Sequence, residues 1–270
     1  MAQCIKQSFV EIKDREWAKF ATAFDKLKKN LYAQRFHFKT NSLVLSPILL
    51  TKTSKRIYNR RMKKDPVVSA AKNHLLSQPY DIAHDIFHHY KVWENVLLII
   101  LKESLSVDIE KLEIAAWWHD YERGSSEHLV LKNVMEDAGY SIKQFTSIKD
   151  LINSHSFNDE RSNSEEAKVL FDADKLEYAN SGRLMWMGEG ILKGLLSPGI
   201  GREYGIALDK RIFEVVQTLN YPSTRNMMIQ NLTNFIDVLP MCKSRYQELL
   251  ANVQKDELVR AVEYLRSKTA

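Results

Sequence analysis

AAWWHDYERG, residues 115–124, sets an apolar run directly against a histidine and an aspartate. Ile114 extends the run backward through Ala115, Ala116, Trp117 and Trp118, so this is an interior helix that ends in His119 and Asp120 before Gly124. An unpaired carboxylate in apolar surroundings costs several kcal/mol or takes up a proton, and shared coordination of a cation removes that cost. Adjacent helical residues diverge by roughly 100°, so both side chains reach one point only if an ion sits near their shared edge. Small Ala115 and Ala116 let a neighbouring helix approach to complete the shell.

Three further stretches hold most of the remaining polar residues of interest: HDIFHHYKV at 84–92, INSHSF at 152–157 and LFDADKLE at 170–177. In the first, His84 and His88 lie one turn apart, as do Asp85 and His89, and spacing alone does not choose between them. Asp85 and His84 suit either orienting coordinating imidazoles through hydrogen bonds or capping the helix at 84, and capping is the expected use of Asp85. In the last, Asp172 and Asp174 flank Ala173, so one carboxylate enters the core while the other caps or meets solvent. The Trp117 and Trp118 pair reads as core, with stacking on a nucleobase a lesser use.

Helical periodicity extends in both directions from these stretches. Residues 8–31 place Phe9, Ile12, Trp17, Phe20, Phe24, Leu27 and Leu31 on one face of an amphipathic helix. A basic connecting segment follows, bracketed by Pro47 and Pro66. Helical windows then fall at 67–77, 84–105, 108–123, 127–138, 142–154, 164–179, 181–196, 207–219, 223–238 and 242–267. No alternating strand pattern competes with them. Gly124 and Gly139 stand just past two helix ends, and Asn163 before Glu166 reads as a capping-box variant. Apolar residues of the last windows, including Phe213, Val216, Leu219, Leu249, Leu250, Val253, Leu258 and Val262, form a packing surface that covers the core or pairs two copies in a homodimer. The expected organisation is a basic helical extension at 1–75, a helical core at 76–200 and a C-terminal helical extension at 201–270.

The chain has 270 residues, 44% of them hydrophobic, with only 9 Gly and 6 Pro, which supports a buried core with few tight turns. Its net charge of +5 is uneven: residues 1–75 carry 17 Lys and Arg against 5 Asp and Glu, so the rest is at −7. Such asymmetry suits contact with a polyanion, with a second copy of the acidic body, or simply a solvated face. Cys4 and Cys242 match no metal or redox spacing, and the longest apolar run near the start, Val96–Leu101, is too short to span a bilayer. The expectation is a soluble, cytoplasmic protein with no membrane partner.

Taken in order, D-I-F-H-H-Y-K-V, A-A-W-W-H-D, I-N-S-H-S-F and D-A-D-K-L-E resemble the HD superfamily of metal-dependent phosphohydrolases over about residues 81–180. The resemblance implies an all-α, compact multi-helix HD-domain bundle, here with helical N- and C-terminal extensions. It implies metal ligands at His88, His119, Asp120 and Asp174, and leaves Asp172 a supporting role. Two imidazoles and two carboxylates without a thiolate suit a divalent Mn, Mg, Fe, Co or Ni ion. Water bound to such an ion is acidified and a phosphoryl oxygen polarised, so hydroxide attack on a phosphate ester or anhydride follows. The resemblance also gives His128 and His155 as places for a second metal or a phosphate contact. Where some relatives carry a general base three residues after the signature aspartate, this chain has Arg123, with Glu122 one step earlier. Lys91, Arg123 and Lys175 are candidates for neutralising a substrate phosphate, alongside ordinary ion pairing.

The reading that follows is a phosphohydrolase acting on a nucleotide or other small phosphorylated metabolite. One alternative is an RNA- or DNA-directed phosphodiesterase that holds its strand on the basic segment 52–64. Another is a regulatory module that binds a metal or nucleotide without turnover.

Overall fold

A computed structural model of the chain describes residues 65–77, 84–122, 125, 127–155, 163–194 and 197–269. The described residues belong to one compact unit; the other unit, Met1–Tyr58, lies outside them, and with it the amphipathic helix expected at 8–31. The basic segment 52–64, Arg123 and Gly124 also lie outside. Every regular element among the described residues is a helix.

The helices run in the order α1 (Pro66–Ser77), α2 (Ile86–Glu103), α3 (Ile109–Trp118), α4 (Leu129–Asp137), α5 (Ile142–Asn153) and α6 (Glu165–Lys175). A 3-10 turn at Leu176–Ala179 leads to α7 (Ser181–Leu192), α8 (Pro198–Thr218), α9 (Pro222–Arg245), α10 (Gln247–Leu250) and α11 (Lys255–Thr269). Helix α2 starts where Asp85 accepts hydrogen bonds from the backbone N–H groups of Phe87 and His88, which satisfies two free donors of the first turn. Its buried residues His88, Val92, Val96 and Ile99, beside His89, Trp93 and Ile100, form one stripe at helical spacing. The imidazoles of His88 and His89 therefore point inward because the apolar residues a turn later do. Helix α3 is capped by Asp108 and is buried continuously from Ile114 to Trp118. It packs against α1, α2 and α5, and α2 in turn packs against α6.

Helix α4 ends in a Schellman motif: Gly139 at φ +82° lets the Tyr140 N–H reach the Met135 carbonyl and its own N–H reach Glu136. The start of α6 departs from expectation, because the capping residue is Ser164, whose hydroxyl accepts from the Ala167 N–H, and Asn163 stands one place before it. Helix α8 begins at Pro198 rather than near 207, since Pro tolerates the first turn and only its later residues were legible as periodic. Helix α9 runs on through Pro240 to Arg245. The single window at 242–267 is three pieces, the end of α9, α10 and α11.

The apolar residues of α8 to α11 are buried within the chain: Val216, Leu219, Leu249, Leu250, Val253, Leu258 and Val262 all belong to the core, while Phe213 is partly buried against Tyr264. Asp172 ties this C-terminal layer to α6. It accepts hydrogen bonds from the backbone N–H and side-chain amide of Asn220 and from the Tyr221 N–H.

Candidate metal centre

His88 from α2, His119 and Asp120 from the turn after α3, and Asp174 from the last turn of α6 converge in the interior. One ligand atom from each lies within 4.8 Å of all the others. The two Nε2 atoms are 3.1 Å apart. His88 Nε2 is 3.5 Å from Asp120 Oδ2 and 3.4 Å from Asp174 Oδ1, and His119 Nε2 is 3.3 Å and 3.7 Å from the same two oxygens. Ligands about 2.1 Å from an ion stand about 3.0 Å apart across an octahedral edge and about 3.4 Å across a tetrahedral one. The cluster is therefore spaced to accept a divalent cation with small adjustments.

The chemistry of the donors agrees. His119 Nδ1 faces the Ala116 carbonyl at 2.9 Å and so donates to it, which in the neutral ring turns the Nε2 lone pair toward the cluster. Three of the four residues are buried. Burial, followed by the positive charge of Arg183, pushes the His88 imidazole down to about 4. Burial opposes charge on His119 as well, but the Asp120 and Asp174 carboxylates outweigh it and raise that imidazole to about 10. Against the same desolvation, His119 holds Asp120 well below the usual carboxylate range, and Lys175 followed by His119 does so for Asp174. Two carboxylates and two imidazoles thus converge on one point, a place a divalent cation suits.

The surrounding residues divide into those that touch this cluster and those engaged elsewhere. His155 Nε2 lies 3.6 Å from Asp120 Oδ1, while its Nδ1 hydrogen-bonds with the Ile152 carbonyl. Lys175 donates to Asp174 Oδ2 at 2.7 Å, leaving Oδ1 for the imidazoles. Asp85 caps α2 through Oδ1 and accepts the Trp186 indole N–H through Oδ2 at 3.1 Å. Glu122 accepts the N–H groups of Val130 and Leu131, both at 3.0 Å, and so caps α4. His128 Nε2 meets Asn153 Oδ1 at 2.8 Å. Lys91 pairs with Glu94 at 2.6 Å. Trp117 and Trp118 are 3% and 1% exposed, and the Trp118 indole donates to the Val67 carbonyl, so this pair is core.

Further residues beyond the four ligands also bear on the site. His84, weighed only as a support for the imidazoles, sets Nε2 3.8 Å from Asp120 Oδ2. His89 Nδ1 meets at 3.2 Å the same Ala116 carbonyl that orients His119, and the two rings lie 4.6 Å apart. Glu177 is buried, which pushes its carboxyl up, and it accepts from the amides of Asn180 at 2.9 Å and Asn95 at 3.4 Å. Arg183 acts on the ligands through its charge. His84 and His89 were visible beside His88 in the sequence, and Glu177 one turn after Asp174; Arg183 carries no local signal.

The fold and site define an all-helical bundle with a buried imidazole–carboxylate cluster able to hold a metal ion. No protein-family model matches the chain, and no curated protein matches it significantly. A crystal structure of a protein from Lactobacillus plantarum, a structural-genomics target, superposes with a TM-score of 0.51 at 16% identity, covering 69% of this chain and 99% of that one. At that identity the likeness extends to the fold alone. No helix among the described residues is long and apolar enough to cross a membrane.

Proposed function

We propose that the chain is a metal-dependent phosphohydrolase of the HD type, acting on a phosphate ester or anhydride of a nucleotide or other small phosphorylated metabolite. The observation that carries this reading is the convergence of His88, His119, Asp120 and Asp174, with one ligand atom of each within 4.8 Å of the others. A divalent ion such as Mn, Mg, Fe, Co or Ni held there supplies Lewis acidity to a phosphoryl oxygen and makes water acidic enough to attack it.

The remaining work falls to the chain itself. Ala116 holds His119 in the tautomer that leaves Nε2 available, and Lys175 fixes which oxygen of Asp174 faces the imidazoles. His155 and His84 stand at opposite oxygens of Asp120 and orient that carboxylate. The engagement of Glu122 with α4 favours a reaction in which no carboxylate after Asp120 serves as base.

The test is purified protein loaded with Mn²⁺ or Co²⁺ and assayed against generic phosphate esters and a nucleotide panel. Turnover that Asp120→Ala abolishes is expected. Inertness of the metal-replete wild type toward every compound, with binding retained, would instead make the chain a regulatory module.

A further inference from the structure

His88 and Asp174 face each other across two packed helices, α2 and α6, with Nε2 3.4 Å from Oδ1. Their spacing therefore depends on the register in which those helices meet. Asn95 stands seven residues after His88 on α2, two turns less roughly 20°, so both side chains leave the helix on the side of α6. The Asn95 amide nitrogen donates to the Ala173 carbonyl at 3.0 Å and to Glu177 Oε1 at 3.4 Å. Ala173 immediately precedes Asp174 and Glu177 follows it by three, so the two bonds hold the backbone on either side of the ligand. Glu177 is only 3% exposed and is held in turn by the Asn180 amide at 2.9 Å, whose oxygen accepts the Gly182 N–H at the start of α7.

Another asparagine supplies a contrast. Asn231 on α9 donates to the Leu176 carbonyl at 3.1 Å, so it grips the same stretch of chain as Asn95 does. Its helix carries none of the four ligands.

We infer that Asn95 is a positioning residue of the metal centre: through Ala173 and Glu177 it locks α2 to the end of α6, and so fixes the separation of His88 and Asp174. An amide suits the task, because its two N–H groups reach a carbonyl and a carboxylate at once. The inference rests on the metal reading of the cluster and deepens it, by assigning the spacing of two ligands to a side chain outside the set.

Three measurements on the full chain test it together: calorimetric titration with Mn²⁺, the visible absorption of the Co²⁺-loaded protein, and urea melts of the metal-free protein. Asn95→Leu should weaken Mn²⁺ about tenfold per folded molecule and alter the Co²⁺ bands, because the ligands no longer meet at one spacing. Asn95→Asp keeps the shape but loses both donors. It should weaken Mn²⁺ at least as much, and it serves where the leucine variant does not fold. Combining Asn95→Asp with Glu177→Gln restores the bond in the opposite direction, from the glutamine amide to the new carboxylate, and should recover at least about threefold in affinity. Asn231→Leu should lower the urea midpoint and leave Mn²⁺ affinity and the Co²⁺ spectrum as in the wild type. Failure of the wild type to bind Mn²⁺ overturns the metal reading itself. Wild-type Mn²⁺ affinity and Co²⁺ spectrum in Asn95→Leu or Asn95→Asp, or equal losses of affinity in Asn95→Leu and Asn231→Leu, overturn the assignment of Asn95 alone.

Discussion

Asp172 and Asp174 are two residues apart on one helix, yet they sit in opposite kinds of polar interior. Around Asp172 every neighbour donates: the Asn220 N–H at 3.0 Å, its amide at 2.7 Å and the Tyr221 N–H at 3.1 Å. Burial pushes this carboxyl up, and those donors pull it back. Around Asp174 the Lys175 ammonium donates to Oδ2 at 2.7 Å, while Oδ1 faces two imidazole nitrogens at 3.4 and 3.7 Å with a second carboxylate in the same cluster. A buried carboxylate matched wholly by backbone and amide donors is a structural tie. One whose free oxygen converges with a second carboxylate and two imidazoles suits a cation.

Exchanging one carboxylate at a time should separate the two roles. Asp174→Asn is expected to lower Mn²⁺ affinity at least about a thousandfold, a change of about 4 kcal/mol, and also to lower the stability of the metal-free protein, because Lys175 and His119 lose the carboxylate they face. Asp172→Ala should affect stability alone: it orphans the Asn220 and Tyr221 donors and loosens the C-terminal layer, lowering stability by about 3 kcal/mol, with Mn²⁺ affinity per folded molecule near that of wild type. If Asp172→Ala loses the metal without losing stability, the contrast collapses.

Acidity gives a second measure of the difference. In the metal-free cluster His119 keeps its proton up to about 10, whereas His88 is neutral above about 4. A cation that takes the His119 lone pair must displace that proton, so metal binding is strengthened as pH rises. Between those two values Mn²⁺ affinity should climb about tenfold per pH unit and level off once His119 is already deprotonated. Titrations in buffers of different ionisation enthalpy would count the proton released. A pH-independent affinity across neutrality would place the proton elsewhere.

Much of this was legible in the sequence, for a local reason. The stripe from His88 to Ile100 and the run from Ile114 to Trp118 carry their own periodicity, so both helices could be read without tertiary information. The resemblance to a known order of motifs then singled out His88 from His84 and His89, which spacing had left open. What escaped notice depended on contacts between distant segments. Trp186 on α7 is fastened to Asp85 across 101 residues, a contact that no local pattern announces. The early start of α8 escaped because Pro198-Gly199-Ile200-Gly201 reads as a break, although proline suits a first turn.

Glu122 supplies the smallest test, and it bears on how far a family pattern should be carried onto a particular chain. Its position two residues after Asp120 invites a role as base, but both of its oxygens accept backbone N–H groups at the start of α4, where His128 occupies the capping position without a side-chain bond to the helix N–H groups. The carboxylate thus replaces a missing N-cap and also meets the positive end of the helix dipole. Glu122→Ala should therefore lower stability by about 1 kcal/mol, and Glu122→Gln by less, since the amide oxygen still accepts one N–H. Neither should change Mn²⁺ affinity or the rate per folded molecule. A large fall in turnover for Glu122→Gln at unchanged stability would return this carboxylate to the chemistry and remove it from the scaffold.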